Sequence, residues 1–144
     1  MLLVALALCP VALADEPGGK KVPDDRDRLQ GTWEGFVVAG KGETPGGPVH
    51  LRLTITATSI RAVDLRKDNR DMGEGTYQLE SSRPLKEMDA TGVLLPGKRK
   101  RHFLGVYTLE GDTLRWCVGN REKVRPSALQ TGGGNFLLVL KRIR

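Results

Sequence analysis

The stretch that most constrains the fold is Gly105 to Val118, GVYTLEGDTLRWCV, where apolar residues alternate with polar ones on both sides of Glu110-Gly111-Asp112. Strict alternation is the period of a strand with one buried face, and Gly111-Asp112 suits a two-residue hairpin loop because glycine takes the positive φ that such turns need. With that loop Leu109 faces Leu114 and Tyr107 faces Trp116, while Thr108, Glu110, Thr113 and Arg115 take the other face. Moving the loop to Glu110-Gly111 changes the partners but keeps the same residues on the same face. An isolated hairpin is marginal in water, so this one needs further strands to pack against.

The rest of the chain supplies them. Gly31 to Gly40, GTWEGFVVAG, opens as a strand in which Gly35 marks a bend or bulge. Val49 to Ala57 alternates most clearly, and Ser59 to Leu65 follows with a phase slip between Ala62 and Val63 where a bulge is expected. Gly75 to Glu80, Lys86 to Gly92, His102 to Leu109 and Phe136 to Arg142 complete a set of about eight short strands, the second of these being the weakest pattern. Loops are expected over Lys41 to Pro48, over the charged Arg66 to Glu74, and at Pro96-Gly97. Pro23 to Gln30 places acids before arginines, the order that favours a single helical turn.

Many short strands with almost no helix predict an all-β fold, an antiparallel up-and-down barrel of about eight strands whose first strand pairs with its last to remove the edges. The inward set is then Trp33, Leu51, Leu53, Ile55, Tyr77, Leu79, Tyr107, Leu109, Leu114, Trp116, Leu138 and Leu140. An eight-stranded interior is either filled by side chains or holds one small ligand.

Residues 1–14, MLLVALALCPVALA, are apolar with Ala12 and Ala14 in an A-x-A arrangement, the pattern of a secretory signal peptide cleaved after Ala14. The run is too short to span a bilayer, which needs about 20 apolar residues. Leu8 stands where a lipobox has a small residue, which argues against lipid anchoring at Cys9. Export to the periplasm or the exterior is the expectation, with residues 15–28 as a leader ending in the helical turn and residues 29–144 as one barrel domain. Cys117 is then the only cysteine left, beside Val106 across the hairpin, and is expected to be a small buried thiol rather than a nucleophile.

The segments LQGTWEG, GTYQLE, KEMDATG, GVYTLEGDTLRWCVG, RPSALQT and a final LLVLKR, in that order over roughly residues 29 to 142, resemble the small secreted domain of unknown function that is expanded in planctomycete bacteria and described as lipocalin-like. Order and spacing carry the resemblance rather than any one motif. Gly31-Thr32-Trp33 is also similar to the G-x-W opening of the wider lipocalin superfamily, in which a Trp at the barrel floor is covered by a basic residue from near the last strand. By that resemblance Arg142 or Lys141 covers Trp33, a contact worth about 0.5 to 2 kcal/mol. The family carries no assigned activity, so the resemblance implies a calycin-type barrel and not a function.

The net charge of +6 is spread along the chain, with its densest run at Lys98, Arg99, Lys100 and Arg101, followed by His102. Such a run is a candidate contact for an anionic envelope surface, although charges at a turn also simply face water. Few aromatics flank it, which argues against nucleic acid. Asp64, Asp68, Asn69, Asp71 and Glu74 crowd one loop, but their spacing departs from a calcium loop and Arg66, Lys67 and Arg70 interleave the opposite charge. His50 and His102 lack companions at zinc-ligand spacing, and Thr131 to Asn135, TGGGN, leads into a strand rather than the helix a phosphate loop needs. Arg125 and Asp89 are candidates for a structural ion pair. No nucleophile with a nearby histidine and no framed carboxylate pair is present, so neither catalysis, a cofactor nor a metal is expected. The sequence therefore favours a non-enzymatic barrel binding a small apolar or amphipathic ligand, with Trp33, Leu53, Tyr77, Tyr107 and Trp116 as candidate contacts and Trp33, Arg142, Gly111 and Asp112 in structural roles. A filled-core module acting through its loops, as an envelope adaptor or inhibitor, is the alternative. The oligomeric state is not set by the sequence.

Overall fold

Alternating patterns along the chain become eight antiparallel strands in a computed structural model that describes residues 23–38, 49–93, 99–119 and 123–144. They are β1 (Gly31–Val38), β2 (Val49–Ile55), β3 (Ser59–Asp64), β4 (Arg70–Glu80), β5 (Lys86–Val93), β6 (Lys100–Glu110), β7 (Thr113–Val118) and β8 (Phe136–Ile143), preceded by a short helix α1 (Asp25–Leu29). Each strand pairs with the next and β1 pairs with β8, from Thr32 opposite Ile143 to Val38 opposite Leu137, so the barrel is closed. Closure leaves no strand with an unpaired edge. The expected signal peptide with Cys9, the loop at Lys41 to Pro48, the turn at Pro96-Gly97 and Lys98 lie outside the described residues.

The β6–β7 hairpin has the two-residue loop Gly111-Asp112, with Gly111 at φ 56°, and it pairs Leu109 with Leu114 and Tyr107 with Trp116. The expected irregularity between Ala62 and Val63 is a register shift against β4, at Met72. Gly35, by contrast, sits in unbroken register with both neighbours. It is there for close approach: a Cβ would lie 1.9 Å from the Val139 carbonyl oxygen. Two expected boundaries are corrected. Strand β4 begins at Arg70, not Gly75, because the bulge switches its phase and Met72 is the sole large apolar residue of its first half. Strand β6 begins at Lys100, so Lys100 and Arg101 extend a strand rather than a turn.

Helix α1 and the connections 56–58, 81–85 and 111–112 gather at one end of the barrel. All twelve expected inward residues belong to the main core or, for Leu79, pack against it half-buried. Leu29, Ile60, Met88 and Ala90 join them. A second apolar cluster lies on the outer face, where Val38, Val106, Cys117 and Leu137 are covered by Leu129 from the connection ahead of β8 and by Leu85. The Cys117 thiol, fully buried there, donates to the Gln130 carbonyl at 3.4 Å, and burial pushes its pKa up. Arg125 fastens the same connection to β5, donating to both Asp89 oxygens at 2.5 and 2.8 Å and to the Gly105 carbonyl at 2.9 Å.

Candidate functional site

The helix end of the barrel is packed and bonded throughout. Helix α1 starts at Asp24, whose carboxylate accepts from the Asp27 N–H at 2.9 Å. A five-residue helix leaves carbonyls open at its C-terminus, and the barrel supplies donors for them. The Trp33 indole N–H donates to the Leu29 carbonyl at 2.9 Å. Arg142 donates to the carbonyls of Gln30, at 2.7 Å, and Arg28, and its guanidinium lies 4.2 Å from the Trp33 ring centroid. Asp112 accepts from Arg142 at 3.2 Å and from Arg144 at 2.8 Å, which ties the hairpin turn into the same joint.

Beside Trp33, the Tyr107 hydroxyl points down to Asp25. Asp25 Oδ2 accepts from that hydroxyl at 2.8 Å and from Lys86 Nζ at 2.7 Å, while Oδ1 accepts from Arg28 at 3.1 Å. Burial raises the Asp25 pKa, but the bonds from Lys86 and Tyr107 and the charges of Lys86 and Arg28 outweigh it, and the net displacement is downward. The Tyr107 hydroxyl is pushed far up, first by burial and then by the carboxylate it bonds. Sequence alternation placed Tyr107 inward but did not show where its hydroxyl ends. The available signal was that a buried tyrosine hydroxyl needs a partner. Tyr77 solves the same problem by donating to the Thr56 carbonyl at 2.7 Å.

The opposite half holds an apolar cavity of about 270 Å³. One side of its wall is made of large residues, among them Leu51, Leu53, Trp116, Val118 and Leu138. The side on β3, β4 and β5 is made mostly of small ones, Ala62, Gly73, Gly75, Ala90 and Gly92, with Ile60 and Met72 beside them. Space is left because five of the seven lining positions on these strands carry a methyl group or nothing. Trp116 forms the boundary between the halves: its indole N–H donates to the Met88 carbonyl at 3.0 Å, and it lies across Gly105, where a Cβ would be 2.3 Å from Nε1.

Of the five candidate contacts, Leu53 and Trp116 line this cavity, whereas Trp33, Tyr77 and Tyr107 belong to the buried core and are not among the cavity's lining residues. None of the described lining residues is ionisable. Gly111 and Asp112 form the hairpin turn and Arg142 covers Trp33.

The remaining candidates are dispersed. Arg99, Lys100, Arg101 and His102 are exposed at the start of β6 and just before it. Asp71 pairs with Arg61 at 2.5 Å and Asp64 accepts from the Arg66 N–H at 3.1 Å, and no group of three metal-ligating side chains occurs among the described residues. His50 stacks on Phe36 at 4.6 Å between ring centroids, and His102 meets Thr91 at 3.1 Å. Gly132 to Gly134 all take positive φ in a tight turn closed by the Asn135 N–H on the Gly132 carbonyl at 3.0 Å. Among the described residues no helix is long and apolar enough to cross a membrane. Comparison with family models, curated proteins and solved structures finds no match to this chain.

Proposed function

We propose that this protein is a non-enzymatic, exported, lipocalin-like barrel that binds one small apolar or amphipathic molecule. The observation that carries the proposal is the 270 Å³ apolar cavity in a barrel whose other half is filled by the buried Trp33, Tyr107, Leu114 and Leu140. A dry apolar cavity of about 150 Å³ accommodates benzene, so this volume suits a ligand on the order of a dozen heavy atoms. The described lining offers no general acid, base or nucleophile, which supports binding rather than turnover. The apolar segment at residues 1–14 supports export. A filled-core module acting through loops does not need the space.

Native mass spectrometry of the protein purified from its own host, followed by titration with 1-decanol, tests the proposal. A single small adduct per chain, or one-to-one uptake of decanol, is expected, and both should be lost in Ala90→Leu with the fold intact by circular dichroism. A bare mass together with no uptake contradicts it.

A further inference from the structure

Following the inner face of each strand to the cavity end of the barrel gives an uneven rim. On β7, β8, β1 and β2 the last inward residues are Val118, Phe136, Val37 and Val49, all of which line the cavity. On β3, β4 and β6 the corresponding positions are charged. Asp64 pairs with the cavity-lining Leu51 on one side and with Arg70 on the other, which puts Arg70 on the same face. Arg101 stands directly opposite Gly92, a lining residue, and two positions before Phe103, which also lines the cavity. Residues directly opposite in an antiparallel pair, and residues two apart in one strand, share a face.

These two arginines differ from the other described arginines. Arg26, Arg28, Arg52, Arg61, Arg83, Arg125, Arg142 and Arg144 each hold an ion pair or a carbonyl, Arg66 lies over Phe36, and Arg99 and Arg115 have interactions of their own. Arg70 and Arg101 make no side-chain hydrogen bond, ion pair or ring contact among the described residues, and both are exposed. Asp64, on the inner face of this rim sector, is buried and accepts from the Arg66 N–H, and the exposed Asp68 lies in the connection just before Arg70. These acids lie on the Arg70 side and partly offset its charge.

We infer that the ligand class is an anionic amphiphile, its apolar chain in the cavity and its carboxylate, sulfonate or phosphate head against Arg70 and Arg101. This rests on the cavity being the ligand site and adds the charge and orientation of what enters it. An apolar wall recognises only hydrocarbon, whereas a guanidinium offers paired N–H donors that match an oxyanion, and such charge-assisted bonds are the strong ones. The apolar half of the rim, on the far side from the arginines, would cover the part of the chain nearest the head.

Three ligands of one chain length test this by isothermal titration calorimetry: decanoate, 1-decanol and decylammonium at neutral pH. Decanoate should bind roughly tenfold or more tightly than decanol, and decylammonium more weakly than either. The double variant Arg70→Gln with Arg101→Gln should remove the decanoate advantage while leaving decanol binding unchanged, a control that also reports an intact cavity. Added salt should weaken decanoate and not decanol. Equal binding of decanoate and decanol, or an advantage that survives in the double variant, overturns the inference while leaving the cavity as a ligand site. If none of the three binds, the cavity proposal fails and this one with it.

Discussion

The two halves of the barrel are built from the same strands, yet one is solid and the other hollow. In the solid half Trp33, Tyr107, Leu114, Leu140 and Ile55 are buried to 2% exposure or less, and helix α1 closes the end with Leu29. In the hollow half β3 to β5 line the cavity mostly with Ala62, Gly73, Gly75, Ala90 and Gly92, and with only Ile60 and Met72 as large residues. The difference is one of side-chain volume and not of backbone: β4 carries Gly75 toward the cavity and, two residues on, Tyr77 into the core. The β1–β8 pairing that closes the barrel runs through both halves, the solid end adds packed side chains to it, and the other end keeps a space that costs stability.

The largest test of that division is Trp33→Ala. It removes the most voluminous fully buried side chain, the donor to Leu29 and the surface under Arg142. A loss of about 3 to 5 kcal/mol in a urea or guanidinium titration is expected. An unchanged midpoint would mean that the solid end does not hold the barrel together.

Two glycines sharpen the contrast within the hollow half itself. Gly75 and Gly92 face each other across β4 and β5 and both line the cavity. A Cβ on Gly75 would sit 1.7 Å from the Thr91 carbonyl oxygen, whereas the nearest atom to a Cβ on Gly92 is Phe103 Cε2 at 4.0 Å. Gly75→Ala should destabilise by about 1 to 3 kcal/mol through forced backbone movement. Gly92→Ala should be neutral or stabilise by about 0.4 to 1 kcal/mol, because the unfolded chain loses freedom. Equal effects in thermal melts would show that the hollow half is not space the backbone leaves open.

A smaller effect, confined to the solid end, is acid sensitivity at Asp25. Its folded-state pKa lies below the ordinary carboxylate value, net of burial, because of the bonds from Lys86 and Tyr107. A depressed pKa contributes stability that is present above the unfolded value, near pH 3.8, and is lost as pH falls through the lower folded value. Stability measured from pH 6 down to pH 2 should therefore drop in that acid range, and Asp25→Asn should flatten the drop. Because Lys86 and Arg28 are about one-third exposed and can rehydrate, only the Tyr107 hydroxyl is stranded by Asp25→Ala, at about 1 to 3 kcal/mol. An Asn variant with the wild-type acid profile would remove Asp25 from the account.

Strong alternation made β2, β6 and β7 legible from residues alone. The hairpin pairing of Tyr107 with Trp116, the shift at Ala62/Val63 and the Arg125 to Asp89 bond all lie where the expected elements put them. Of the two basic residues that the resemblance offered over Trp33, Arg142 and Lys141, it is Arg142 that lies over the ring. The small-residue wall of the hollow half, on β4 and β5, was harder to read for a physical reason. The small residues that leave the cavity open also remove the apolar signal of a strand, which is why KEMDATG is the weakest pattern in the chain and why β4 begins five residues before its visible start. Periodicity reports which way a residue points and not how much room it leaves. For that reason Tyr107 and Tyr77, though inward, lie outside the cavity. The Asp25 anchor escaped because an acid in a polar helical turn carries no mark of burial until the strand it meets is known.

Xenon uptake tests the hollow half most directly, because the gas enters apolar cavities without needing a matching ligand. Diffraction from a crystal of this protein under xenon pressure should show an atom between Leu53, Ala90 and Trp116 and none beside Trp33. Xenon beside Trp33, or none in the barrel at all, would contradict the division between a packed end and a hollow one.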